Sequence, residues 1–396
     1  MRSVAVFAAA VLFLAYYCNE PVPDGVTDAG AYRAMGIFFR TLGHVARLGE
    51  KLGIAREPHI RRDAISLLTN VARRFKSDHR TGLKVTDTTF DGVKVRIYEP
   101  AAVQATDARR TGLVFYHGGG WAALAMDDVD EMMAHIAKQL GNVLVGVDYR
   151  LAPEYQFPAS FDDCLVATKF FLRHTEDYNV DPKRVGVGGD SAGGNLAAAV
   201  AIAMTKEKEF PKLKVQTLLY PALQAFDFNT DSYKDSGHLN TLPTDLMISF
   251  WLWYLNDDLS SFHTLKANNH TTEALKRSQY AGYVNTNLKT TTPVSKNNIK
   301  FPAIDRIETI LDPRFAPLMA DDVDLKKMPP TYVMTVEHDV LRDDGVMYAR
   351  RLEKLGVPVR HDHYKHGFHC CLLDVNAIDV GREAMENYVS YLKKNL

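Results

Sequence analysis

A serine flanked by glycines has the surroundings that covalent catalysis needs. Gly189-Asp190-Ser191-Ala192-Gly193 fits the pattern glycine, any residue, serine, any residue, glycine. Apolar residues 185–187 come before it and the helix-forming residues 195–200 follow it, which predicts a sharp strand-to-helix turn. Such a turn lifts the hydroxyl clear of the sheet and places it at a helix N-terminus, where negative charge is favoured. We therefore predict that Ser191 is the nucleophile of an acyl-transfer reaction.

A glycine-rich loop offers backbone amides for the same reaction. His117-Gly118-Gly119-Gly120-Trp121 follows the apolar run 113–116. Three glycines let the backbone fold tightly and point several amides at one spot, as stabilisation of an oxyanion requires. We assign the amides of Gly118 and Gly119 as two donors and the amide of Ala192 as the third. His117 is interpreted as a structural residue that hydrogen-bonds this loop.

The nucleophile also needs a carboxylate and a histidine, which follow it in the chain order Ser, Asp or Glu, His. Asp339 lies just beyond the apolar run 332–336, at the position of a carboxylate on top of a sheet. Asp343 and Asp344 are interpreted as first-turn or capping residues of the helix that follows.

The histidine is ambiguous because His366-Gly367-Phe368-His369 contains two candidate bases. A base has to contact both the serine and the carboxylate. Spacing alone does not choose between His366 and His369. His361 and His363, which alternate within a predicted strand over 359–363, are interpreted as surface or packing residues.

The elements around these motifs alternate between strand and helix. Short apolar runs at residues 113–116, 143–147, 185–187, 215–220 and 332–336 are separated by helical stretches. This arrangement predicts an α/β fold with a mostly parallel central sheet and helices on both faces. Residues 83–85 and 93–98 predict an antiparallel pair that turns near Asp91-Gly92.

The alternation stops between about residues 222 and 325, which is too long for a bare loop. We interpret this stretch as an inserted helical cap that the helices of residues 19–80 join, with a flexible excursion at 284–300. Trp251 and Trp253 are expected either to line an acyl pocket, to face a bilayer, or to be buried in a cap helix. The predicted division is 1–18 signal-anchor helix, 19–80 helical segment, 81–221 and 326–396 core, and 222–325 cap.

The N-terminus carries a charge-free apolar stretch. Residues 4–18 follow Arg2 and end at Tyr16-Tyr17-Cys18, which provides no small-residue cleavage site. A retained signal-anchor is favoured over a cleaved signal peptide and over a buried helix, and it places the body of the chain in the lumen. The triplet Asn269-His270-Thr271 is a glycosylation acceptor that fits this placement.

Composition excludes several partners. The chain has 47 Lys and Arg against 48 Asp and Glu, so no global field favours nucleic acid. The tract from Arg61-Arg62 to Arg73-Arg74 is interpreted as a solvated helix face.

None of the four cysteines, Cys18, Cys164, Cys370 and Cys371, has metal-ligand spacing, and no cofactor is predicted. The adjacent pair Cys370-Cys371 is interpreted as two buried small apolar residues. Nothing in the sequence indicates an oligomeric state.

Four motifs together resemble the hormone-sensitive-lipase group of α/β-hydrolases: HGGGW, YRLAPE (149–154), GDSAGGN (189–195) and DVLRDDG (339–345). The N-terminal apolar stretch, YPALQAFDFNTDSY (220–233) and GFH (367–369) are similar to the membrane-anchored branch that contains arylacetamide deacetylases and neutral cholesterol ester hydrolases. This resemblance implies an α/β-hydrolase fold with His369 as the base. It also implies that Arg150 and Glu154 of YRLAPE tie loops together. In that branch glycine usually follows the GFH histidine, where this chain has Cys370.

The resemblance implies a carboxylester hydrolase in the endoplasmic reticulum membrane, with one membrane pass and a lumenal catalytic domain. Its expected partners are an apolar ester or acyl-amide substrate and the membrane that holds the anchor. A ligand-binding protein on a hydrolase scaffold is the alternative from another class, although such proteins usually lose the serine or the histidine. A secreted soluble esterase is the third possibility.

Overall fold

A central sheet organises the chain in the computed structural model, which describes residues 19–74, 78–102, 109–284 and 301–396. Over these residues the sheet has eight strands in the order β1-β2-β4-β3-β5-β6-β7-β8. The strands are β1 Leu83–Phe90, β2 Val93–Pro100, β3 Arg110–Tyr116, β4 Val143–Asp148, β5 Val180–Asp190, β6 Gln216–Leu219, β7 Thr331–His338 and β8 Val359–Phe368. The pairs β1–β2 and β2–β4 are antiparallel, and the other neighbours are parallel.

Helices cover both faces of the sheet. They are α1 Ala29–Lys51, α2 Glu57–Arg73, α3 Asp130–Leu140, α4 Ala159–Arg173, α5 Ala192–Met204, α6 Asp231–Ser236, α7 Thr244–Leu255, α8 Phe262–Lys266, α9 Glu273–Lys276, α10 Gln279–Val284, α11 Asp322–Leu325, α12 Arg342–Lys354 and α13 Asp379–Asn395. Short 3₁₀ turns lie at Met126–Val129, Thr175–Tyr178, Leu259–Ser261, Ile307–Leu311 and Pro317–Met319.

The burial of the strands explains why their sequences are continuously apolar. Every residue of β6 is buried, and so are all residues of β3 except the first. Parallel strands with helices on both sides have no solvated face, so alternation of apolar and polar residues is absent. The outer β1–β2 hairpin is half-exposed and turns at Asp91 and Gly92, both with positive φ. The predicted fold, with its mostly parallel sheet and its hairpin, is confirmed.

The segment that holds α1 and α2 contacts the part of the chain after β6 through Glu20, which precedes α1, and Arg56, which precedes α2. The Asn240 amide donates to both carboxylate oxygens of Glu20 at 2.9 Å, and Arg56 pairs with Asp257. Helix α7 is buried along its length, and Trp251 and Trp253 are 1% and 0% exposed. The two tryptophans are therefore buried within α7, and the alternative that they face a bilayer is wrong.

The expectation of a solvated face at Arg61 and Arg62 is also wrong. Arg61 is 3% exposed and binds Glu57 through two nitrogens. Arg62 donates from Nε to the carbonyl of Ala122 at 2.8 Å and from Nη2 to the carbonyl of Ala152 at 2.9 Å. The partners of Arg62 lie 60 and 90 residues away in the chain, so sequence periodicity could not reveal them.

The predicted N-terminal anchor lies outside the described residues, as does most of the predicted excursion at 284–300. Over residues 19–74, 78–102, 109–284 and 301–396, no helix combines the length and apolar character needed to cross a bilayer.

Candidate active site

Ser191 occupies a strained turn between β5 and α5. Its φ of 54° lies in the left-handed region, and its amide donates to the carbonyl of Leu219 at 2.8 Å. The flanking glycines are required for steric reasons. A Cβ atom on Gly189 would stand 2.2 Å from the carbonyl oxygen of Gly193, and one on Gly193 would stand 1.9 Å from that of Tyr116. The glycines thus permit the close backbone approach that presents Ser191.

His369 and Asp339 lie in line with this serine. The Ser191 Oγ is 3.1 Å from His369 Nε2, and His369 Nδ1 is 2.7 Å from Asp339 Oδ2. The other carboxylate oxygen of Asp339 accepts the amide of Leu341 at 2.9 Å. Each of the three side chains is at most 8% exposed.

Strand register explains how residues 30 positions apart meet. Asp339 is the first residue after β7, and His369 is the first after β8. The two strands are parallel neighbours in which His338 pairs with Phe368. Because parallel strands end at the same edge of a sheet, Asp339 and His369 emerge side by side there.

The surroundings of His369 stabilise a positive charge on its ring. Burial by itself lowers the pKa of this imidazole, because it removes the charged form from water. The Asp339 carboxylate beside Nδ1 outweighs burial, and the Cys370 thiol adds to its effect, so the pKa of His369 lies well above its ordinary value. This environment stabilises the imidazolium that a general base becomes when it takes a proton.

The other candidate histidines lie elsewhere. The His366 side chain is exposed, and its Nδ1 is 2.5 Å from the carbonyl oxygen of Gly25. His361 and His363 both contact the Thr335 hydroxyl, at 2.8 and 3.0 Å. Ser191 and Asp339 are thus brought together with His369 and not with His366.

His117 has a structural environment in the glycine-rich loop. It is fully buried, its Nδ1 is 2.8 Å from the carbonyl oxygen of Gly118, and its ring stacks on Tyr149 at 4.4 Å. The Tyr149 hydroxyl donates to the His117 carbonyl at 2.7 Å. These contacts fix the start of the loop.

Asp343 and Asp344 lie in the first turn of α12, as predicted. Asp343 accepts the amide of Ser232 at 2.8 Å. Asp344 is fully buried and accepts the amides of Leu223 and Gln224 together with the Gln224 side chain. These acids fasten the chain after β6 and do not reach His369.

The hydrogen bonds of the glycine-rich loop exclude Gly118 as an oxyanion donor, contrary to the assignment made from the sequence. The amide of Gly118 donates to the Asp190 carboxylate at 2.8 Å and is therefore unavailable to a substrate. Within the described parts of the chain, no hydrogen-bond acceptor faces the amides of Gly119, Gly120 or Ala192. Gly119 and Gly120 both have positive φ, of 101° and 59°, which glycine adopts without strain.

Asp190 is a residue that motif reasoning missed, since it occupies the variable position of the serine motif. Its side chain connects the turn at Ser191 to the loop at Gly118, and it is buried. Burial raises the pKa of Asp190 to about 6, against an opposing effect of the Gly118 hydrogen bond. The carboxylate can thus take up a proton over a range of pH in which an exposed aspartate stays charged.

We expect Asp190→Ala to lower kcat by roughly 10- to 100-fold, because a misplaced loop loses transition-state contacts. Asp190→Asn keeps an acceptor for Gly118 and should retain activity within a few fold.

Because the native pKa of Asp190 is raised, its contribution to stability falls as pH rises from about 4 to about 6, by at most ~1.4 kcal/mol per pH unit. Urea unfolding at several pH values should show that slope in the parent and not in Asp190→Asn. An identical slope in both would contradict the role of Asp190.

Arg62 is a second residue that the sequence did not reveal. Besides its two carbonyl contacts it binds Glu154 at 2.7 Å, and Arg150 binds Asp163 through two nitrogens. Arg150 and Glu154 thus have the expected scaffold role, although they tie their loop to the helices α4 and α2 and not to other loops. Arg62 thus holds the segment after the glycine-rich loop in place through these hydrogen bonds.

The adjacent cysteines differ from the buried apolar pair that was expected. Cys371 is fully buried, whereas Cys370 is partly exposed and lines the cavity at Ser191. Cys370 has a φ of 70°, in the region that favours glycine. Cys164, Cys370 and Cys371 are free thiols.

A cavity of about 470 Å³ opens above Ser191. Its floor contains Ser191, His369, Gly119 and Gly120, and apolar residues of α1, α2 and α7 contribute a large part of its walls. Its volume falls in the range of pockets that enclose small organic ligands. In the described part of the chain, no group of three His, Cys, Asp or Glu could hold a metal ion.

Comparison with known proteins places this site in a family. A family model described as alpha/beta hydrolase fold matches residues 113–284 and 299–373. The chain belongs to this family. The predicted class of enzyme, a serine hydrolase acting on carboxylic ester bonds, is confirmed.

Two curated relatives match nearly end to end. Neutral cholesterol ester hydrolase 1 of Bos taurus is 38% identical over 414 residues and covers 100% of both chains. Arylacetamide deacetylase of Bos taurus is 39% identical over 397 residues and covers 97% of both. Among solved structures, the carboxylesterase EstE1 from a metagenomic library superposes with a TM-score of 0.67 at 26% identity, covering 86% of this chain and 97% of that one. The resemblance stated from the motifs is confirmed.

Proposed function

We propose that the chain is a membrane-anchored carboxylester hydrolase that cleaves apolar esters or acyl amides with Ser191, His369 and Asp339 as a catalytic triad. The observation that carries this proposal is the continuous contact from Ser191 Oγ to His369 at 3.1 Å and from His369 to Asp339 at 2.7 Å. This chain of contacts lies on the floor of a mainly apolar cavity.

In the first half-reaction His369 Nε2 takes the proton of the Ser191 hydroxyl as Oγ bonds to the substrate carbonyl carbon. The carbonyl oxygen becomes an oxyanion. Asp339 holds the imidazole through Nδ1 and stabilises the imidazolium. When the tetrahedral intermediate collapses, the bond to the leaving alcohol or amine breaks and His369 returns the proton to it.

In the second half-reaction a water molecule replaces the leaving group. His369 takes a proton from the water as its oxygen attacks the acyl carbon. The bond to Ser191 Oγ then breaks, the serine recovers its proton from His369, and the carboxylic acid leaves.

The oxyanion donors are the amides of Gly119, Gly120 and Ala192. Gly120 takes the place first assigned to Gly118, whose amide is used by Asp190. The Ala192 amide is the first of α5, so the helix dipole adds to its hydrogen bond. Each donor of this kind typically contributes about 10²- to 10³-fold in kcat.

The substrate class follows from the cavity and from the relatives. Apolar walls favour apolar acyl or alcohol groups, because these groups leave water on binding. The names of the two relatives specify a cholesterol ester and an arylacetamide, which are a lipid ester and an acyl amide. Both classes are therefore candidates for this chain.

We expect kcat/KM to rise with acyl length in a panel of p-nitrophenyl esters from acetyl to long acyl, by up to about threefold to fourfold per added methylene while the chain stays inside the apolar walls. An aryl acetamide in the same panel tests the amide reaction. Preference for the acetyl ester alone would contradict the lipid-ester substrate and favour a deacetylase.

Membrane attachment rests on the apolar residues 4–18 that follow Arg2. We infer a single pass in the endoplasmic reticulum with the catalytic domain in the lumen. The Asn269 side chain is exposed, so a glycan there would not disturb the fold. Carbonate extraction should leave the full chain in the membrane pellet, and its release into the supernatant would favour a secreted esterase.

The chain divides into an anchor, a cap and a core in this proposal. We propose residues 1–18 as anchor, 19–80 and 222–325 as a joint helical cap, and 81–221 with 326–396 as the hydrolase core. The contacts of Glu20 with Asn240 and of Arg56 with Asp257 support joining the two cap segments.

A further inference from the structure

The cap helices α1 and α2 expose large apolar side chains to an unusual degree. Over the described residues nine large hydrophobic side chains are classed as exposed, and seven of them lie between residues 45 and 71. Their exposed fractions run from 43% to 73%. We call this set the α1–α2 apolar face, and it consists of Val45, Leu48, Leu52, Ile54, Leu67, Leu68 and Val71.

Helical spacing makes the apolar face continuous along each helix. Val45, Leu48 and Leu52 follow one another at intervals of three and four residues, which puts them on one side of α1. Helix α1 packs on α2 through buried residues such as Gly49, where a Cβ atom would stand 2.5 Å from Ile60 Cδ1. The exposed residues are therefore not the interface between the two helices. Clustered exposed apolar residues mark an interaction site.

The apolar face reaches the cavity of the active site. Leu68 is 49% exposed and also lines the cavity. Ile65 and Thr69 of α2 line it as well, opposite Met35 and Phe38 of α1. An apolar molecule that contacts the apolar face at Leu68 is therefore also in contact with the wall of the cavity.

Charge identifies the surface that this face contacts. The segment 29–74 carries nine Lys and Arg against three Asp and Glu, whereas the whole chain carries 47 against 48. Arg47, Lys51 and Arg74 are exposed on the two helices that carry the apolar face. Apolar side chains together with cationic ones are typical of helices that lie in the headgroup region of an anionic bilayer.

The position of these helices in the chain agrees with that partner. Only residues 19–28 separate the apolar run 4–18 from the start of α1 at Ala29. Ten residues span at most ~35 Å when fully extended. A chain anchored by residues 4–18 therefore keeps α1 within reach of the bilayer.

We propose that the α1–α2 apolar face docks on the surface of an anionic lipid bilayer, so that apolar esters pass from the bilayer into the cavity at Leu68 without crossing water. This proposal rests on the proposed membrane attachment and deepens it. The substrate is then an apolar ester that is dissolved in the bilayer.

The test uses the full chain reconstituted in vesicles of phosphatidylcholine with phosphatidylserine. Two rates are measured, for a long-chain ester dissolved in the bilayer and for p-nitrophenyl acetate in water. The triple variant Leu48→Gln/Leu52→Gln/Ile54→Gln removes apolar area from α1 and the turn after it, and glutamine preserves helix propensity at position 48. We expect its bilayer-ester rate to fall roughly tenfold or more, with its acetate rate unchanged. Val323→Gln, which changes a side chain that is 67% exposed on α11, should alter neither rate.

An unchanged bilayer-ester rate in the triple variant would overturn the docking proposal. If the triple variant loses both rates, the variant Arg47→Gln/Lys51→Gln is used to test the docking proposal. Its bilayer-ester rate should fall only when phosphatidylserine is present, and a rate independent of anionic lipid would overturn the proposal.

Other occupants of the apolar face give distinct results. A parent dimer that the triple variant dissociates would assign the face to a second copy of the chain. A disulfide formed between Leu52→Cys and Cys18 would assign it to the N-terminal segment. The proposed function itself fails by different results, namely release of the parent by carbonate or absence of acetate hydrolysis by the parent.

Discussion

Ser191→Ala should lower kcat for p-nitrophenyl esters by roughly 10⁴- to 10⁶-fold, the effect of removing the nucleophile from a triad. The loss is expected because the Ser191 hydroxyl is the group that contacts His369 Nε2, at 3.1 Å. The substitution leaves the fold intact, since the hydroxyl contacts His369 while the backbone of Ser191 makes the hydrogen bonds to Leu219 and Ala222.

A fluorophosphonate probe measures the same nucleophile independently of substrate choice. The parent and a control variant, Ser260→Ala, in which the replaced side chain is exposed, should both be labelled, and Ser191→Ala should not. Matching melting temperatures would exclude unfolding as the reason for the loss. Labelling of Ser191→Ala at the level of the parent would reject Ser191 as the nucleophile, whichever ester is the natural substrate.

The sequence predicts the sheet and the serine turn well because both depend on local patterns. Apolar runs at residues 143–147 and 332–336 are the strands β4 and β7 with small changes at their ends. The turn at Ser191 follows from two glycines whose replacement would cause backbone clashes. In such cases one short segment contains both the signal and its physical cause.

The errors concern groups whose partners lie far away in the chain. Three consecutive glycines predict donors, but the use of Gly118 by Asp190 depends on a contact across 72 residues. Arg62 carries the charge of a solvated face, yet it binds Glu154 and the carbonyls of Ala122 and Ala152, which lie 60 to 92 residues away. Long-range hydrogen bonds leave no trace in hydrophobic periodicity, so only the folded chain reveals them.

The length of β8 is the local fact that separates the two histidines. The sequence predicts a strand over 359–363, whereas β8 continues to Phe368. His366 therefore lies inside the strand and is exposed, while His369 comes directly after it at the edge where Asp339 emerges. The five additional strand residues thus explain why His369, and not His366, lies beside Asp339.

We therefore expect His369→Ala to lower kcat by roughly 10⁴- to 10⁶-fold, as the loss of a triad base does, and His366→Ala to retain activity within about twofold. His366 is a matched control, since it lies three residues away in the same segment and its ring contacts the carbonyl of Gly25 and not Ser191 or Asp339. Ester hydrolysis by both purified variants, with their melting temperatures, measures the difference. An active His369→Ala together with an inactive His366→Ala would transfer the base to His366. That result would require β8 to end earlier in the working enzyme, because only a shorter strand brings His366 to the edge beside Asp339.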